Sequence, residues 1–381
     1  MYLKITNTVG FAFQFLMAFM LIFFAFGESV DFRRRPIESA SSIFSLYKSV
    51  LVDIRFLLPL IVVGLLLLYR MSKRRYPHFD PIVHIIALIH FSLALKQSIY
   101  LNEIYWKGFI NIPTIYLIAV FCQITVNITP QSSLKKVVLS ATIITLMITF
   151  SMVDLSTIIV TENRYQFQYG NPNHAGVGLA SLLILFLSIN NTDVTSSRVL
   201  ELILLTMMVL AVLLTGSRTA LTGIIVFVAL KYLKLRVWSA GLLLIGLGVS
   251  LIYYSRSQVW EGRSDRSLLW ENAFSRSDYT LIYGANFKSQ EAFIEGFFVS
   301  LPYALGILGI ILLMLFVGYF LLTISKSKAI LEGGKNMESL FPFLVAFGWM
   351  AIFESILFGV LTQPIVAFFT VIALCRKRCN N

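Results

Sequence analysis

The segment Gly-Asn-Pro-Asn-His-Ala-Gly at residues 170–176 combines the signals of a helix start with groups that could act on a substrate. An Asn followed by a Pro, here Asn171 and Pro172, is typical of the N-cap and the first position of a helix. Free N–H groups and the helix dipole attract anions at such a start, which makes Asn171 and Asn173 candidate binding residues. His174 could donate or accept a proton, although a capped helix alone also explains the segment.

A second polar segment, Leu-Thr-Gly-Ser-Arg-Thr-Ala at 214–220, separates two apolar runs. Gly216 permits a sharp turn, and Ser217 has the hydroxyl that caps a following helix. Arg218 would then stand at another helix start, where cap, dipole and guanidinium together predict a site for a diphosphate. The alternative is an Arg at the membrane surface that reaches toward lipid headgroups.

Arginine is also concentrated in the segment 256–295, where it is mixed with Trp and Tyr. Arg263 and Arg266 are three residues apart and would share one face of a helix. Apolar residues at helical spacing over 268–274 predict a short amphipathic helix lying on a membrane. Because Arg binds phosphate in a bidentate manner, these residues and Arg164 indicate an anionic ligand. Ordinary solvated loop charge is the alternative for any single Arg.

Three carboxylates are candidates for proton transfer or for pairing with an Arg. Glu291 and Glu295 lie just before an apolar run, where either could serve as general base for a sugar hydroxyl. A carboxylate at a helix start is also favourable without any function. Glu354 lies within an apolar run, and an ionisable group inside a membrane is a functional candidate with an Arg as the expected partner.

The elements that must position these residues are membrane helices. Of the 381 residues, 57% are hydrophobic and 13% are charged, whereas about 25% are charged in an average soluble protein. The mean hydropathy is +0.81. This balance argues against a soluble enzyme, a disordered chain and a disulfide-rich module. We therefore predict an all-α fold, a polytopic membrane helix bundle that forms a single integral membrane domain over 1–381.

We predict about twelve membrane spans from the apolar runs, since a bilayer crossing needs about 20 predominantly apolar residues. Their predicted limits are 8–26, 50–69, 81–98, 109–129, 135–153, 173–190, 199–215, 217–234, 237–255, 296–324, 339–358 and 361–375. Lys and Arg are in modest excess on the segments that face the cytoplasm if both termini do. In that topology 256–295 is a long outer loop between helices nine and ten, and the polar segments share the outer face.

The net charge of +12 would suggest a nucleic-acid partner in a soluble protein. In a membrane protein it reflects basic cytoplasmic loops, so no nucleic acid is predicted. No P-loop, dinucleotide fingerprint or paired Cys motif is present, and we therefore predict no cofactor and no bound metal.

The two polar segments, with 256–295 and the run Glu-Gly-Phe-Phe-Val-Ser-Leu-Pro-Tyr-Ala-Leu-Gly-Ile-Leu-Gly at 295–309, resemble the superfamily of bacterial O-antigen polymerases and O-antigen ligases. Order and spacing fit over roughly 155–325. The resemblance implies a multi-pass glycosyltransferase of the bacterial inner membrane, active on the periplasmic side. Its donor would be an undecaprenyl-diphosphate-linked oligosaccharide. Membrane lipid and a chain-length regulator protein are further candidate partners.

Motif by motif, the resemblance assigns Arg218 to the lipid diphosphate, with Arg164, Arg263 and Arg266 assisting. Ligases of the superfamily typically carry a His at the place that falls near Glu295. None of the four His residues of the chain lies in 256–295. This departure favours a repeat-unit polymerase over a ligase, and the general base stays open between Glu295, Glu291 and His174.

Two other functions are weighed against the polymerase. One is an O-antigen ligase, whose acceptor is lipid A-core. The other is a flippase or transporter of lipid-linked glycans, which should show inverted repeats and charges along many spans. Here intramembrane charge is sparse, and the polar residues gather at one predicted face.

Overall fold

The computed structural model describes residues 2–23, 61–64, 80–151, 172–189, 198–232, 274–275, 279–285, 297–329, 340–354 and 362–379. Nearly all of them are helical. The helices are α1 (Tyr2–Phe23), α2 (Pro81–Leu101), α3 (Trp106–Ile128), α4 (Gln131–Ser151), α5 (Pro172–Ile189), α6 (Arg198–Thr215), α7 (Arg218–Tyr232), α8 (Phe297–Leu305), α9 (Ile307–Ala329), α10 (Leu340–Phe353) and α11 (Gln363–Cys379). Strands β1 (Tyr279–Thr280) and β2 (Gly284–Ala285) pair antiparallel as a short hairpin.

Among the residues that the structure describes, four helical segments are long and apolar enough to cross a bilayer, because about 20 residues at 1.5 Å each span its hydrocarbon core. They are Pro81–Leu101, Gly108–Ile128, Gln131–Ser151 and Ile307–Ser325. Shorter apolar segments lie in α1, α5, α6 and α10. The predicted helical class is confirmed for the described residues, and the long apolar helices are consistent with a membrane-embedded protein.

The chain divides into two compact units, of which the first comprises Met1–Asp80, Thr114–Ser217 and Gly359–Asn381. Helix α5 is the centre of this unit, and it packs against α4, α6 and α11. Every residue from Ala175 to Ile189 is buried, as expected of a helix that is apolar on all sides. Helix α1 completes the unit by packing on α4 and α11.

The second unit comprises Pro81–Pro113 and Arg218–Phe358. Helix α7 packs along α10, and α2 packs along α9. The short helix α8 contacts α2, α9, α10 and β2. Stacked and edge-to-face rings of Phe297, Phe316 and Phe320 fill the α8–α9 contact.

The prediction of one continuous span over 296–324 is wrong, because the helix breaks at Gly306. This residue has a φ of 59°, a left-handed conformation that ends α8. Its N–H donates to the carbonyl oxygen of Pro302 at 2.8 Å, and α9 begins at the next residue. The break has no charge to mark it, which is why hydropathy alone reads through it.

The structure also contains a hairpin where the sequence predicts only a loop with an amphipathic helix. Residues 268–273 of that predicted helix lie outside the described residues. The same holds for the predicted span 237–255 and for most of the predicted span 50–69.

Candidate functional site

Helix α5 begins at Pro172, as its Asn-Pro signal predicts. Asn173 and His174 are half-buried in its first turn, and the helix is buried from Ala175 onward. The Nδ1 atom of His174 is shielded from solvent. Two of the predicted site residues therefore lie at the end of the central helix of the first unit.

The segment 214–218 forms the predicted tight turn between α6 and α7. Gly216 has a φ of 60°, and its N–H donates to the carbonyl oxygen of Leu213 at 2.9 Å. The Thr215 hydroxyl donates to the Val212 carbonyl oxygen at 2.6 Å and accepts the Ser217 N–H at 3.1 Å. Both Thr215 and Ser217 are buried. Ser217 thus occupies the position before the first residue of α7, where a capping residue is expected.

The start of α5 and this turn lie against each other. A Cβ atom placed on Gly176 would lie 2.3 Å from Ser217 Cβ and 2.8 Å from Thr215 Oγ1, so only a glycine permits this approach. His174 is two residues nearer the helix start, about 3 Å along the axis. Within the first unit, the structure therefore brings the start of α5 against residues 215–217 of the second polar segment.

Arg218 is the first residue of α7 and is exposed. The helix that it opens runs antiparallel to α10, because Thr219 contacts Glu354 whereas Gly223, further along, lies against Met350. Arg218 follows Ser217 directly in the chain and is the residue at which the second unit resumes.

A buried polar network holds the first turn of α7 to the end of α10. The Thr219 hydroxyl donates to Glu354 Oε1 at 3.2 Å, and the Trp349 indole N–H donates to Thr222 Oγ1 at 2.9 Å. Glu354 is buried and lies directly after the last residue of α10. The sequence predicts an Arg partner for Glu354; at least one of its partners is instead a neutral hydroxyl.

The network changes how the α7 start could bind an anion. A carboxyl group already lies at its first turn, so the exposed guanidinium of Arg218, rather than the dipole of α7, is the feature of this helix suited to an anion. At α5 the half-buried Asn173 and His174 line the helix start.

Six predicted site residues lie outside the described residues. They are Asn171, Arg164, Arg263, Arg266, Glu291 and Glu295.

Sequence reasoning missed the contribution of Thr215, Thr219, Thr222 and Trp349. A signal was present, because Thr219 and Thr222 are three residues apart and so share one face of α7. Two Thr residues facing an apolar partner helix indicate hydrogen bonds across the helix pair.

No protein-family model matches the chain, and no curated protein matches it.

Proposed function

We propose that this protein is a polysaccharide repeat-unit polymerase. It joins undecaprenyl-diphosphate-linked glycans, as in O-antigen, capsule or exopolysaccharide synthesis, at the periplasmic face of the bacterial inner membrane. The observation that carries the proposal is the packing of the Asn173–His174 helix start against the turn that leads into Arg218. The two segments that resemble the O-antigen polymerase superfamily are far apart in sequence, and their proximity supports a common site.

The donor in this reaction is a growing glycan attached to undecaprenyl diphosphate. Its anomeric carbon forms a bond to a hydroxyl oxygen of the next lipid-linked repeat unit, and its bond to the diphosphate breaks. Arg218 stabilises the negative charge on the leaving diphosphate, and Ser217, Asn173 and Asn171 assist at the two helix starts. We assign the same diphosphate ligand to Arg164, Arg263 and Arg266.

The acceptor hydroxyl must lose a proton as the new bond forms. His174, two residues before the Gly176 contact, is one candidate base, and Glu291 and Glu295 are its rivals. No nucleotide sugar takes part, which agrees with the lack of a nucleotide motif in the sequence. A polymerase is favoured over a ligase by the absence of His from 256–295.

The test is a gel of surface glycan from cells whose own gene is replaced by Arg218→Ala, at protein levels equal to wild type. Arg198→Ala is the matched control, since Arg198 is also the first residue of an apolar helix but lies on the predicted cytoplasmic side. We expect single repeat units and no ladder for Arg218→Ala, and a normal ladder for Arg198→Ala.

Two other patterns would contradict the proposal. Loss of all glycan from the acceptor, with long polymers left on the lipid carrier, would indicate a ligase. An unchanged ladder would remove Arg218 from the mechanism and favour the transporter.

A further inference from the structure

The hairpin of the second unit exposes three consecutive apolar residues at its turn. Leu281, Ile282 and Tyr283 are 60%, 63% and 73% exposed, and we call residues 281–283 the apolar tip. Three or more exposed apolar residues in a row are avoided on a water-facing surface unless they have a function. The apolar tip therefore requires a partner.

The hairpin is not loosely attached to the protein. A Cβ on Gly306 would lie 2.5 Å from the Ile282 carbonyl oxygen, so the turn lies directly on the break between α8 and α9. The ring of Tyr279 stacks on that of the buried Tyr303, with centroids 5.8 Å apart. The position of the apolar tip is thus fixed by the second unit.

Lys96 connects the apolar tip to the apolar helix α2 and so fixes the position of the tip along the axis of that helix. Its Nζ donates to the Tyr283 carbonyl oxygen at 2.5 Å and to that of Ala304, at the end of α8. Carbonyl groups in the last turn of a helix have no partner within the helix, which is why a cation binds well there. Lys96 lies about 7.5 Å before the end of α2, at 1.5 Å per residue.

The exposed apolar surface of α2 continues beyond Lys96 toward the end of the helix. Leu88, Leu95 and Ile99 are exposed at helical spacing, and Ile99 is 73% exposed. A stripe of this kind on a helix long enough to cross a bilayer is the face that contacts lipid. Lys96, which bonds the apolar tip, is one helical turn before the exposed Ile99. The tip therefore lies beside a part of α2 whose side chains are still apolar.

We propose that the apolar tip is a membrane anchor, inserted among the acyl chains of the outer leaflet beside α2 and held there by Lys96. Leu281 and Ile282 enter the apolar layer, and Tyr283 lies at the interface, where aromatic residues with a polar end concentrate. The anchor keeps part of the predicted periplasmic loop 256–295 at the membrane surface. This inference goes beyond the proposed function and does not depend on it.

The test places an environment-sensitive fluorophore on Ile282→Cys in the full-length protein, reconstituted in phosphatidylcholine vesicles with doxyl groups on the acyl chains. Ile99→Cys is the lipid-facing control, and Glu103→Cys, exposed in the α2–α3 connection, is the water-facing control. Of the three cysteines of the chain, Cys122 and Cys375 are buried, and the unsubstituted protein gives the labelling background, including that of Cys379. We expect the label at 282 to shift to shorter wavelength and to lose intensity as the label at 99 does.

A label at 282 that behaves like the one at 103 would overturn the proposal. The contribution of Lys96 is tested in the Ile282→Cys background. Lys96→Met should reduce the quenching by lipid, whereas Lys96→Arg, which keeps a cation and its donors, should retain it. Equal quenching in the Met variant would remove Lys96 from the anchor.

Discussion

Among single residues, the buried Thr and Trp side chains between α7 and α10 have the clearest energetic role. A buried polar group that loses its partner costs about 1–3 kcal/mol in soluble proteins and somewhat less between membrane helices. Thr222 accepts the Trp349 indole N–H, and its own hydroxyl lies 2.9 Å from the Arg218 carbonyl oxygen. This one hydroxyl therefore connects α10 with the backbone of the residue to which we assign the diphosphate.

Thr222→Val removes the acceptor of the Trp349 N–H while it keeps the shape of the side chain. We expect a loss of about 1 kcal/mol in the free energy of unfolding. The measurement is thermal unfolding of the purified protein in detergent.

Thr323→Val in α9 is the matched control. Among the described residues, the Thr323 hydroxyl bonds within its own helix, to the Tyr319 carbonyl oxygen at 3.0 Å, so its loss should leave the melting temperature nearly unchanged. Equal melting temperatures for the two variants would show that the hydroxyl between α7 and α10 contributes no more to stability than the hydroxyl of Thr323.

The helices themselves were largely predictable from the sequence. The predicted spans 173–190, 199–215 and 217–234 correspond to Pro172–Ile189, Arg198–Thr215 and Arg218–Tyr232. Apolar run length defines these helices, and Pro, Gly and Ser mark their ends. Pro172 and Gly216 supply the local signals that run length does not.

The break at Gly306 and the hairpin were not predicted. Pro302 and Gly306 were cues inside a charge-free run, but the run also contains Gly309 and Gly318, and Pro and Gly also occur in continuous membrane helices. The hairpin depends on contacts with Tyr303 and Gly306, which are distant in sequence. Such contacts leave no periodic pattern, so hydropathy and spacing could not reveal them.

Gly176 is the residue that sets the distance between α5 and the α6–α7 turn. Gly176→Ala places a Cβ 2.3 Å from Ser217 Cβ, and overpacking of this kind costs about 1–3 kcal/mol. We expect a lower melting temperature and, because the turn leads into Arg218, a shorter glycan ladder.

Gly10→Ala in α1, within the same unit, is the matched control, since nothing lies within 4 Å of a Cβ at this position. Ala favours a helix over Gly by about 0.5–1 kcal/mol, so the melting temperature should stay the same or rise. A Gly176→Ala variant as stable and active as this control would refute the close contact.

The proposed account also requires a definite orientation of the whole molecule. Helix α3 begins after Glu103 and ends before Lys136, so a membrane-crossing α3 places these residues on opposite faces. The sequence assigns Glu103 to the periplasm and Lys136 to the cytoplasm.

A membrane-impermeant thiol reagent checks this assignment in intact cells with a permeable outer envelope. Glu103→Cys should react at once, and Lys136→Cys should react only after the inner membrane is opened. The reverse pattern would place the proposed site in the cytoplasm, where the lipid-linked donor of a polymerase is not expected.

The sequence singles out the candidate site residues, but it does not predict how they pack. Sequence reasoning found the two polar segments, and their proximity depends on a single glycine that gives no chemical signal of its own. Glu354 could be singled out as an intramembrane carboxylate, but its Thr219 contact requires the antiparallel packing of α7 and α10. Composition does not encode that packing.

The most direct test of the central claim is a reconstituted reaction. The purified protein, in vesicles of inner-membrane lipid, is given only undecaprenyl-diphosphate-linked repeat units and is compared with Arg218→Ala and Arg198→Ala. We predict that wild type and Arg198→Ala convert the repeat units to polymers on the lipid carrier and release undecaprenyl diphosphate, and that Arg218→Ala does neither. Equal polymer formation by Arg218→Ala, or none by the folded wild-type protein with the repeat unit of its own source, would contradict the account.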